Sequence, residues 1–375
     1  MSKYHNAILA IIAVISLSAC SGLRVRGDVG GQSVKTRVDA EVARYYLVTY
    51  LSGRRTNPAL DQRIAKLYQN PSGPLPDRVE LKRLSEEFSV DFAAVYFADR
   101  VASAANNRRF REIFGESRRA FARRRLIPPA AVAEYDVMFV PTYLYKRLPV
   151  MGSDFAVPKK ALEKAGVPVH FVETVEDGAI ETNAEIVAAA IAARASSGRR
   201  LILISASKSG SEVALALTRL GAAQTRHVAG WINAVGALQG TPLADERALT
   251  RVERLVGTVD AAGVESLTTE RSRRRFRGFR VSDHILVVNY FGVPLSGDLS
   301  SWARPSFRPL SRHGPNDGIL LLADMIFPRG ISVAELGLDH YLLDRDIDAT
   351  TMGLVAAMVQ WMAPSPAKLA PVSNR

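Results

Sequence analysis

The residues around Ser207 are the best placed in this sequence for nucleophilic chemistry. The short run from Leu201 to Ser205 predicts a buried strand, and a helical pattern follows Ser207 directly. A serine at the turn between them would lie at a helix N-terminus, where partial positive charge favours a developing alkoxide. Strand and helix backbones crowd at such a turn, so small residues are needed two positions before and after it. Ser205 and Ser209 meet that need.

Two other interpretations of this segment remain open. It could be an ordinary strand-to-helix loop with capping serines. Alternatively, Ser205 and Lys208 could form an S-x-x-K pair in which the lysine activates the serine, but that pair belongs on a helix and no K-T-G triplet occurs in the chain. We favour Ser207 at the apex of a nucleophile elbow, G-x-S-x-G with serine in both glycine positions. The backbone N–H of Lys208 would be one oxyanion donor.

A general base is expected after the elbow, because the partners of such a serine follow it in the order acid, then histidine. Three histidines follow at a suitable distance. His284 begins a predicted strand, and His313 lies in a loop before the acid candidate. His340 follows the last predicted strand and precedes the last predicted helix. This order favours His340.

The acid candidate is Asp317, in the turn Gly314 to Ile319. Turn chemistry alone could explain an Asn-Asp-Gly sequence. Asp324, in an apolar segment, and Asp339, adjacent to the histidine candidate, are alternative acids. We favour Asp317, because Asp339 adjoins the histidine too closely for an easy triad geometry.

Four short segments resemble bacterial serine lipases and esterases of the α/β-hydrolase superfamily. N-D-G-I at 316–319 and L-D-H-Y at 338–341 resemble their acid and histidine segments. G-T-P-L-A-D at 240–245 resembles the segment after the strand that follows the nucleophile helix, and F-V-P-T-Y at 139–143 occupies the place of the strand and oxyanion loop. The resemblance spans roughly residues 135 to 362.

This resemblance implies a triad of Ser207, Asp317 and His340 that hydrolyses an acyl ester or lipid through an acyl-enzyme, with no metal or organic cofactor. It also implies the N–H of Tyr143 as the second oxyanion donor. Pro-Thr at 141–142 replaces the usual His-Gly, and serines replace both elbow glycines. A second function class therefore stays open, a hydrolase-fold lipoprotein that has lost catalysis and serves as a binding or scaffold module.

The N-terminus predicts a lipidated, exported protein. Lys3 precedes a small and apolar stretch from Ala7 to Leu17, which is too short to span a bilayer and reads as a signal peptide over residues 1–19. L-S-A-C at 17–20 resembles a bacterial lipobox, so Cys20, the only cysteine, is the predicted lipid attachment site. In bacterial lipoproteins, a serine rather than an aspartate directly after the lipidated cysteine resembles an outer-membrane sorting signal. Ser21 occupies that position, so we expect the protein in the outer membrane, facing the periplasm. The lipid on Cys20 would anchor the protein to this membrane.

Composition and hydrophobic periodicity divide the rest of the chain into three regions. The glycines in residues 20–33 predict a flexible, lipidated tether, and residues 34–130 predict a helical N-terminal region. Residues 131–375 predict an α/β-hydrolase domain, a mostly parallel sheet with helices on both faces, because short apolar runs alternate with helical segments. The predicted strands are 137–140, 167–172, 201–205, 228–235, 285–290 and 331–336. Residues 246–283 are long enough for a lid over the serine.

The net charge of +12 is dispersed along the sequence rather than gathered in a tail. Its densest part is 271–280, with six arginines and two phenylalanines. Nucleic acid does not fit an exported lipoprotein as a partner. A solvated helix face is the favoured interpretation, and contact with anionic lipid headgroups is the alternative.

Overall fold

The computed structural model describes residues 22–70, 73–124, 130–246, 260–344 and 346–363. The predicted signal peptide and the predicted lipid attachment site at Cys20 lie outside these residues. No helix within them is long and apolar enough to cross a membrane.

The first described residues form a β-hairpin, so the predicted flexible tether is wrong for residues 22–33. Strands β1 (Leu23–Val29) and β2 (Gln32–Val38) pair antiparallel. Gly30 and Gly31 take φ of 55° and 82°, the left-handed values that a two-residue hairpin turn requires. Valines recur on the buried side of both strands and join the core. The glycines that suggested a tether therefore make the turn of an ordered element.

The predicted helical region, 34–130, is wrong for residues 34–38, which belong to β2. Helices follow the hairpin from residue 41, as the sequence predicts. They are α1 (Glu41–Tyr45, continued by a π-helical turn, Tyr46–Tyr50), α2 (Pro58–Leu67), α3 (Arg78–Glu87) and α4 (Val90–Ser103). Asn57, Asp77 and Ser89 cap α2, α3 and α4, each side chain accepting a backbone N–H of the first turn. These caps explain why the helices begin where they do.

A pair of carboxylates joins the hairpin to α4. Asp39 N–H donates to Asp91 Oδ2 at 2.7 Å, and Asp91 N–H donates to Asp39 Oδ2 at 3.2 Å. Asp91 is fully buried and also accepts the N–H of Ser296. Burial and the neighbouring Asp39 raise the pKa of Asp91 to about 8. The hairpin, α4 and the segment around Ser296 thus meet at one buried carboxyl group whose pKa is raised.

The main sheet has six parallel strands in the order β4-β3-β5-β6-β7-β8. They are β3 (Tyr135–Val140), β4 (Val169–Phe171), β5 (Arg200–Ala206), β6 (Val228–Ala234), β7 (Leu286–Val293) and β8 (Ile331–Leu336). All six predicted strands are therefore confirmed. Helices cover both faces of the sheet. Because the strands are buried on both sides, they appear in the sequence as unbroken apolar runs.

Nine further α-helices follow in the described chain: α5 (Ala105–Arg124), α6 (Ala156–Lys164), α7 (Ile180–Ala193), α8 (Lys208–Gln224), α9 (Pro242–Asp245), α10 (Ala261–Glu265), α11 (Thr269–Gly278), α12 (Arg304–Ser311) and α13 (Ile347–Met362). Three short 3-10 helices lie at Ala130–Glu134, Pro149–Met151 and Leu322–Met325. Side chains of α5, α6 and α13 cover one face of the sheet, and α7 and α8 cover the other. Since α5 belongs to this layer, the predicted boundary at residue 130 does not separate two cores.

Side-chain amides occupy the outer edge of β8. Gln32 Nε2 donates to the carbonyl of Ala334 at 2.6 Å, and Leu336 N–H donates to Gln32 Oε1 at 3.0 Å. Ser332 N–H donates to Asn107 Oδ1 at 2.9 Å. These three β8 residues alternate along the strand, so their groups lie on the side away from β7. The side chains of Gln32 and Asn107 therefore form backbone hydrogen bonds that a neighbouring seventh strand would otherwise form.

Candidate active site

Ser207 is the residue between β5 and α8, and its backbone is strained. Its φ of 53° and ψ of −123° lie outside the regions that a residue with a side chain normally adopts. Three backbone hydrogen bonds hold it there. Ser207 N–H donates to Ala234 O at 3.0 Å, and Ser207 O accepts from Gly210 at 3.0 Å and Ala237 at 2.8 Å. The chain turns sharply at this serine and the turn is fixed from both sides.

The serines in the glycine positions of the elbow are buried and hydrogen-bonded. Ser205 Oγ accepts from Trp231 Nε1 at 2.8 Å. Ser209 Oγ donates to the carbonyl of Val140 at 2.8 Å and accepts the N–H of Ala206 at 3.0 Å. The Ser205 hydroxyl is hydrogen-bonded by the indole on β6, and the Ser209 hydroxyl bonds both to β3 and to Ala206 within the turn, so the elbow accommodates both serines. The interpretation of Ser205 as an S-x-x-K nucleophile finds no support, because its oxygen is engaged by the indole.

Glycine is needed at position 210, in the first turn of α8. A Cβ added there would lie 2.6 Å from Asn233 Oδ1 and 2.9 Å from the Cα of Gly236. Real Cβ atoms do not approach so closely, so the helix would have to move away from the strand end. Because position 210 is glycine, the first turn of α8 packs directly against the end of β6 and the loop that follows it.

The structure brings His340 and Asp317 to Ser207 in one line of hydrogen bonds. His340 Nε2 is 3.0 Å from Ser207 Oγ. On the opposite side of the ring, His340 Nδ1 is 2.7 Å from Asp317 Oδ2. A carboxylate accepts only, so the proton of the neutral ring belongs on Nδ1 and leaves Nε2 free to accept from the serine.

The turn that carries Asp317 is built to hold a buried carboxylate. Asp317 is fully buried, and its Oδ1 accepts the N–H groups of Ile319 at 2.9 Å and Leu320 at 2.7 Å. Asn316 Oδ1 accepts the N–H of Gly318. The backbone of His340 also donates to the carbonyl of Asp317 at 2.9 Å. The Asn-Asp-Gly turn thus supplies one carboxylate oxygen with donors and presents the other to the histidine.

The alternative acids are engaged elsewhere. Asp339 accepts the backbone N–H of Ser300 at 2.7 Å. Asp324 is buried between Arg78, at 3.6 Å, and Arg273, at 3.7 Å, and burial raises its pKa to about 6. Within the described part of the chain, neither carboxylate forms a hydrogen bond or ion pair with a histidine.

The other histidine candidates are also placed away from the serine. His284 Nε2 contacts the carbonyl of Thr225 at 2.9 Å, at the far end of α8. His313 contacts the exposed side chain of Arg312. Of the three histidines considered, only His340 contacts Ser207.

A cavity of about 440 Å³ lies beside the serine. Its walls are mainly apolar side chains, among them Leu148, Ile232 and Leu354. Both predicted oxyanion donors line it. Lys208 is the first residue of α8, where the N–H has no acceptor within the helix, and Tyr143 lies in the turn that follows β3. The cavity wall therefore carries a serine hydroxyl in contact with an imidazole, the two candidate backbone donors and hydrocarbon.

The predicted lid is described only in part, since residues 247–259 lie outside the described chain. The remainder includes α10 and α11, and Leu267 between them lines the cavity.

The arginine run at 271–280 is not a uniformly solvated helix face, which corrects the favoured interpretation. Arg275 is bound 2.7 Å from Glu181, with its side chain only 7% exposed, and Arg273 faces Asp324. Arg273 and Arg275 are each held by a carboxylate of another segment, while the four other arginines of the run are exposed.

A buried ion pair beside the elbow was not anticipated from the sequence. Lys208 Nζ contacts Glu212 Oε1, and Asn183 Nδ2 donates to the same oxygen at 2.8 Å. Opposite charges four residues apart in the first turns of α8 were the available signal. Among the described residues, no three carboxylate, imidazole or thiol side chains are grouped so that they could hold a metal ion.

No protein-family model matches the sequence, and no curated protein matches it. Solved structures do resemble the fold. The metagenomic carboxyl esterase MGS0156 shares 18% identity over 61% of this chain and 76% of that chain, with a TM-score of 0.51. The mature lipase BlEst2 of Bacillus licheniformis shares 21% identity over 58% of this chain and 88% of that chain, with a TM-score of 0.47. At this identity the likeness concerns the fold alone. The likeness to the carboxyl esterase agrees with the predicted fold class, a mostly parallel sheet with helices on both faces.

Proposed function

We propose that the protein is a serine hydrolase that cleaves acyl esters through an acyl-enzyme, with Ser207 as nucleophile, His340 as general base and Asp317 as the acid that orients it. The observation that carries the proposal is the continuous hydrogen-bond line from Ser207 Oγ through the imidazole to the buried carboxylate. Residues far apart in the sequence supply its three members. A structural role explains neither the strained serine nor its contact with an oriented imidazole.

Each step follows from the contacts of the three groups. As Ser207 Oγ attacks the carbonyl carbon of the ester, its proton passes to His340 Nε2, and Asp317 stabilises the charged ring. The N–H groups of Lys208 and Tyr143 would donate to the oxyanion. Collapse expels the alcohol, which takes the proton from the histidine. Water, deprotonated by the same imidazole, then releases the acid and restores the serine.

The cavity favours substrates with an apolar acyl chain. Its walls are largely hydrocarbon, and burial of each methylene group contributes about 0.8 kcal/mol. Val150, Val157 and Leu343 line it and are also more than half exposed to solvent. Exposed side chains of this size are few in the described chain, and three of them border one opening. An acyl ester or lipid substrate fits these walls.

The test is labelling with a fluorophosphonate probe, together with hydrolysis of p-nitrophenyl esters of graded chain length. We expect the wild type to be labelled and active, and Ser207→Ala to lose both. Ser205→Ala is the matched control, since that hydroxyl is engaged by Trp231, and it should keep its label. A folded wild type that is neither labelled nor active would overturn the proposal and favour the binding or scaffold module.

We further propose that the chain is anchored in the bacterial outer membrane, facing the periplasm, by acyl groups on Cys20. The lipobox-like L-S-A-C sequence supports this. Cells supplied with an alkynyl palmitate should incorporate it into the wild type and not into Cys20→Ala. Recovery of the wild type in the soluble fraction, without label, would refute the anchor and leave the catalytic proposal untouched.

A further inference from the structure

We infer that Lys208, Glu212 and Asn183 form a positioning network that holds the two halves of the oxyanion site at a fixed separation. The inference rests on the proposed function. The network begins at the residue directly after the nucleophile, and it ends at the segment that holds the turn carrying Tyr143. Glu212 and Asn183 are positioning residues in this scheme, because they act through the backbone of other residues.

The three side chains are almost fully buried, at 2%, 1% and 1% exposure for Lys208, Glu212 and Asn183. Removing a lysine and a glutamate from water costs several kcal/mol for each ion, and their attraction often does no more than offset it. Glu212 Oε2 has no hydrogen-bond donor among the described residues. The pair is thus a poor way to gain stability, so a geometric role accounts for it better.

Asn183 connects the ion pair to the segment 174–177. Its Oδ1 accepts the N–H of Val175 at 3.0 Å, and its Nδ2 donates to the carbonyl of Val175 at 2.9 Å. The same Nδ2 donates to Glu212 Oε1 at 2.8 Å. The side-chain amide therefore fixes this segment to α8 and to the charged pair.

The segment 174–177 in turn holds the turn after β3. Glu176 accepts from the backbone N–H of Leu144 at 3.1 Å through its carbonyl and from the N–H of Lys146 at 3.0 Å through its carboxylate. Tyr145 Oη donates to the carbonyl of Thr174 at 3.1 Å. Tyr143 lies at the start of this held turn. A continuous path of hydrogen bonds and backbone therefore connects the Lys208 side chain to the turn that contains Tyr143.

Oxyanion donors stabilise a transition state only when both reach the same oxygen at about 2.7–3.1 Å. Lys208 and Tyr143 lie on separate segments, one on α8 and one after β3. A shift of about 1 Å between them would cost roughly 100-fold in rate while leaving substrate binding almost unchanged. The network supplies the connection that prevents this shift.

The test is a kinetic comparison of the wild type with Asn183→Ala and with the double variant Lys208→Met/Glu212→Leu. The double variant replaces the ion pair with apolar side chains of similar size, a change that buried pairs commonly tolerate. For p-nitrophenyl butyrate we expect both to lower kcat 10- to 100-fold with KM within about threefold. Affinity for a trifluoromethyl ketone, which forms a tetrahedral adduct with the serine, should fall in parallel.

The matched control is Asp136→Asn. Asp136 is a second buried carboxylate, held by Arg194 at 2.8 Å, and it lies at the opposite end of β3 from the Tyr143 turn. This variant should lose stability and keep its kcat. Folded network variants with wild-type kcat, or with a loss confined to KM, would overturn the inference. If the double variant does not fold, Asn183→Ala decides. An inactive, unlabelled wild type would instead refute the proposed function itself.

Discussion

Replacing Asp317 by asparagine is expected to disable the general base while preserving its surroundings. Both backbone donors, from Ile319 and Leu320, bind Oδ1, and only the imidazole binds Oδ2. An asparagine amide can keep its oxygen at the Oδ1 position, so its NH₂ group then faces His340 Nδ1. That nitrogen must become an acceptor, which moves the ring proton to Nε2. Ser207 would then face a donor that cannot take its proton.

The size of the effect follows from losing both the tautomer and the stabilisation of the charged ring. A change of this kind lowers kcat by about 10⁴ in a serine protease triad, which corresponds to ~5.5 kcal/mol at 1.36 kcal/mol per decade. We expect a loss of this order, with KM nearly unchanged. Steady-state hydrolysis of p-nitrophenyl butyrate measures it. The rate of fluorophosphonate labelling should fall in proportion, because it depends on the same proton transfer.

Asp324→Asn is the matched control. It removes another buried carboxylate, one held by two arginines rather than by a histidine. Its kcat should stay within about threefold of the wild type. A loss below tenfold for Asp317→Asn would refute the assigned role of this carboxylate. A large loss for Asp324→Asn would transfer the role to the other acid.

Three further outcomes are expected. Gly210→Ala should lower the free energy of unfolding in urea by about 1–3 kcal/mol and reduce kcat, because the added methyl has no room at the elbow, whereas Gly278→Ala, with open space around its Cβ, should do neither. Leu354→Trp should shift the preferred p-nitrophenyl ester to a shorter acyl chain, since this residue lines the cavity; an unchanged chain-length profile would place the acyl group elsewhere. The folded pKa of Asp91, raised to about 8 by burial and by Asp39, lies above its usual value near 4, so the folded state keeps a proton that the unfolded chain loses. Stability should therefore fall by up to ~1.4 kcal/mol per pH unit as the pH rises from about 4 to 8, and Asp91→Asn should flatten this slope in thermal unfolding; an equal slope in both proteins would contradict the assignment.

The sheet was predictable because its strands are buried on both faces. Such strands appear in the sequence as short apolar runs, and the run at 331–336 coincides with β8. Ser207 and His340 could be nominated for a related reason. Ser207 and His340 lie at or soon after the end of a predicted strand, and the ends of parallel strands share one edge of the sheet. Asp317 lies well beyond the predicted strand at 285–290 and was indicated by the resemblance of its turn to the acid segment of bacterial lipases. The structure places these three side chains in mutual contact.

Features that depend on distant partners were not predictable. Asn183 and Glu212 are 29 residues apart, and nothing in either segment indicates the other. The direction in which Arg275 points depends on Glu181, 94 residues away. The hairpin was missed for a local reason instead. Two adjacent glycines suit both a flexible tether and a tight turn, and only the alternating valines around them distinguish the two.

The amides along β8 have a consequence for self-association. An uncovered edge strand is a template on which a strand of another molecule can add, and repeated addition leads to aggregation. Here Gln32 and Asn107 already occupy the hydrogen-bonding positions of Ser332, Ala334 and Leu336. The opposite edge, β4, is only three residues long and offers little length for pairing. The hairpin, through Gln32, and α5, through Asn107, thereby protect the sheet from edge-to-edge polymerisation.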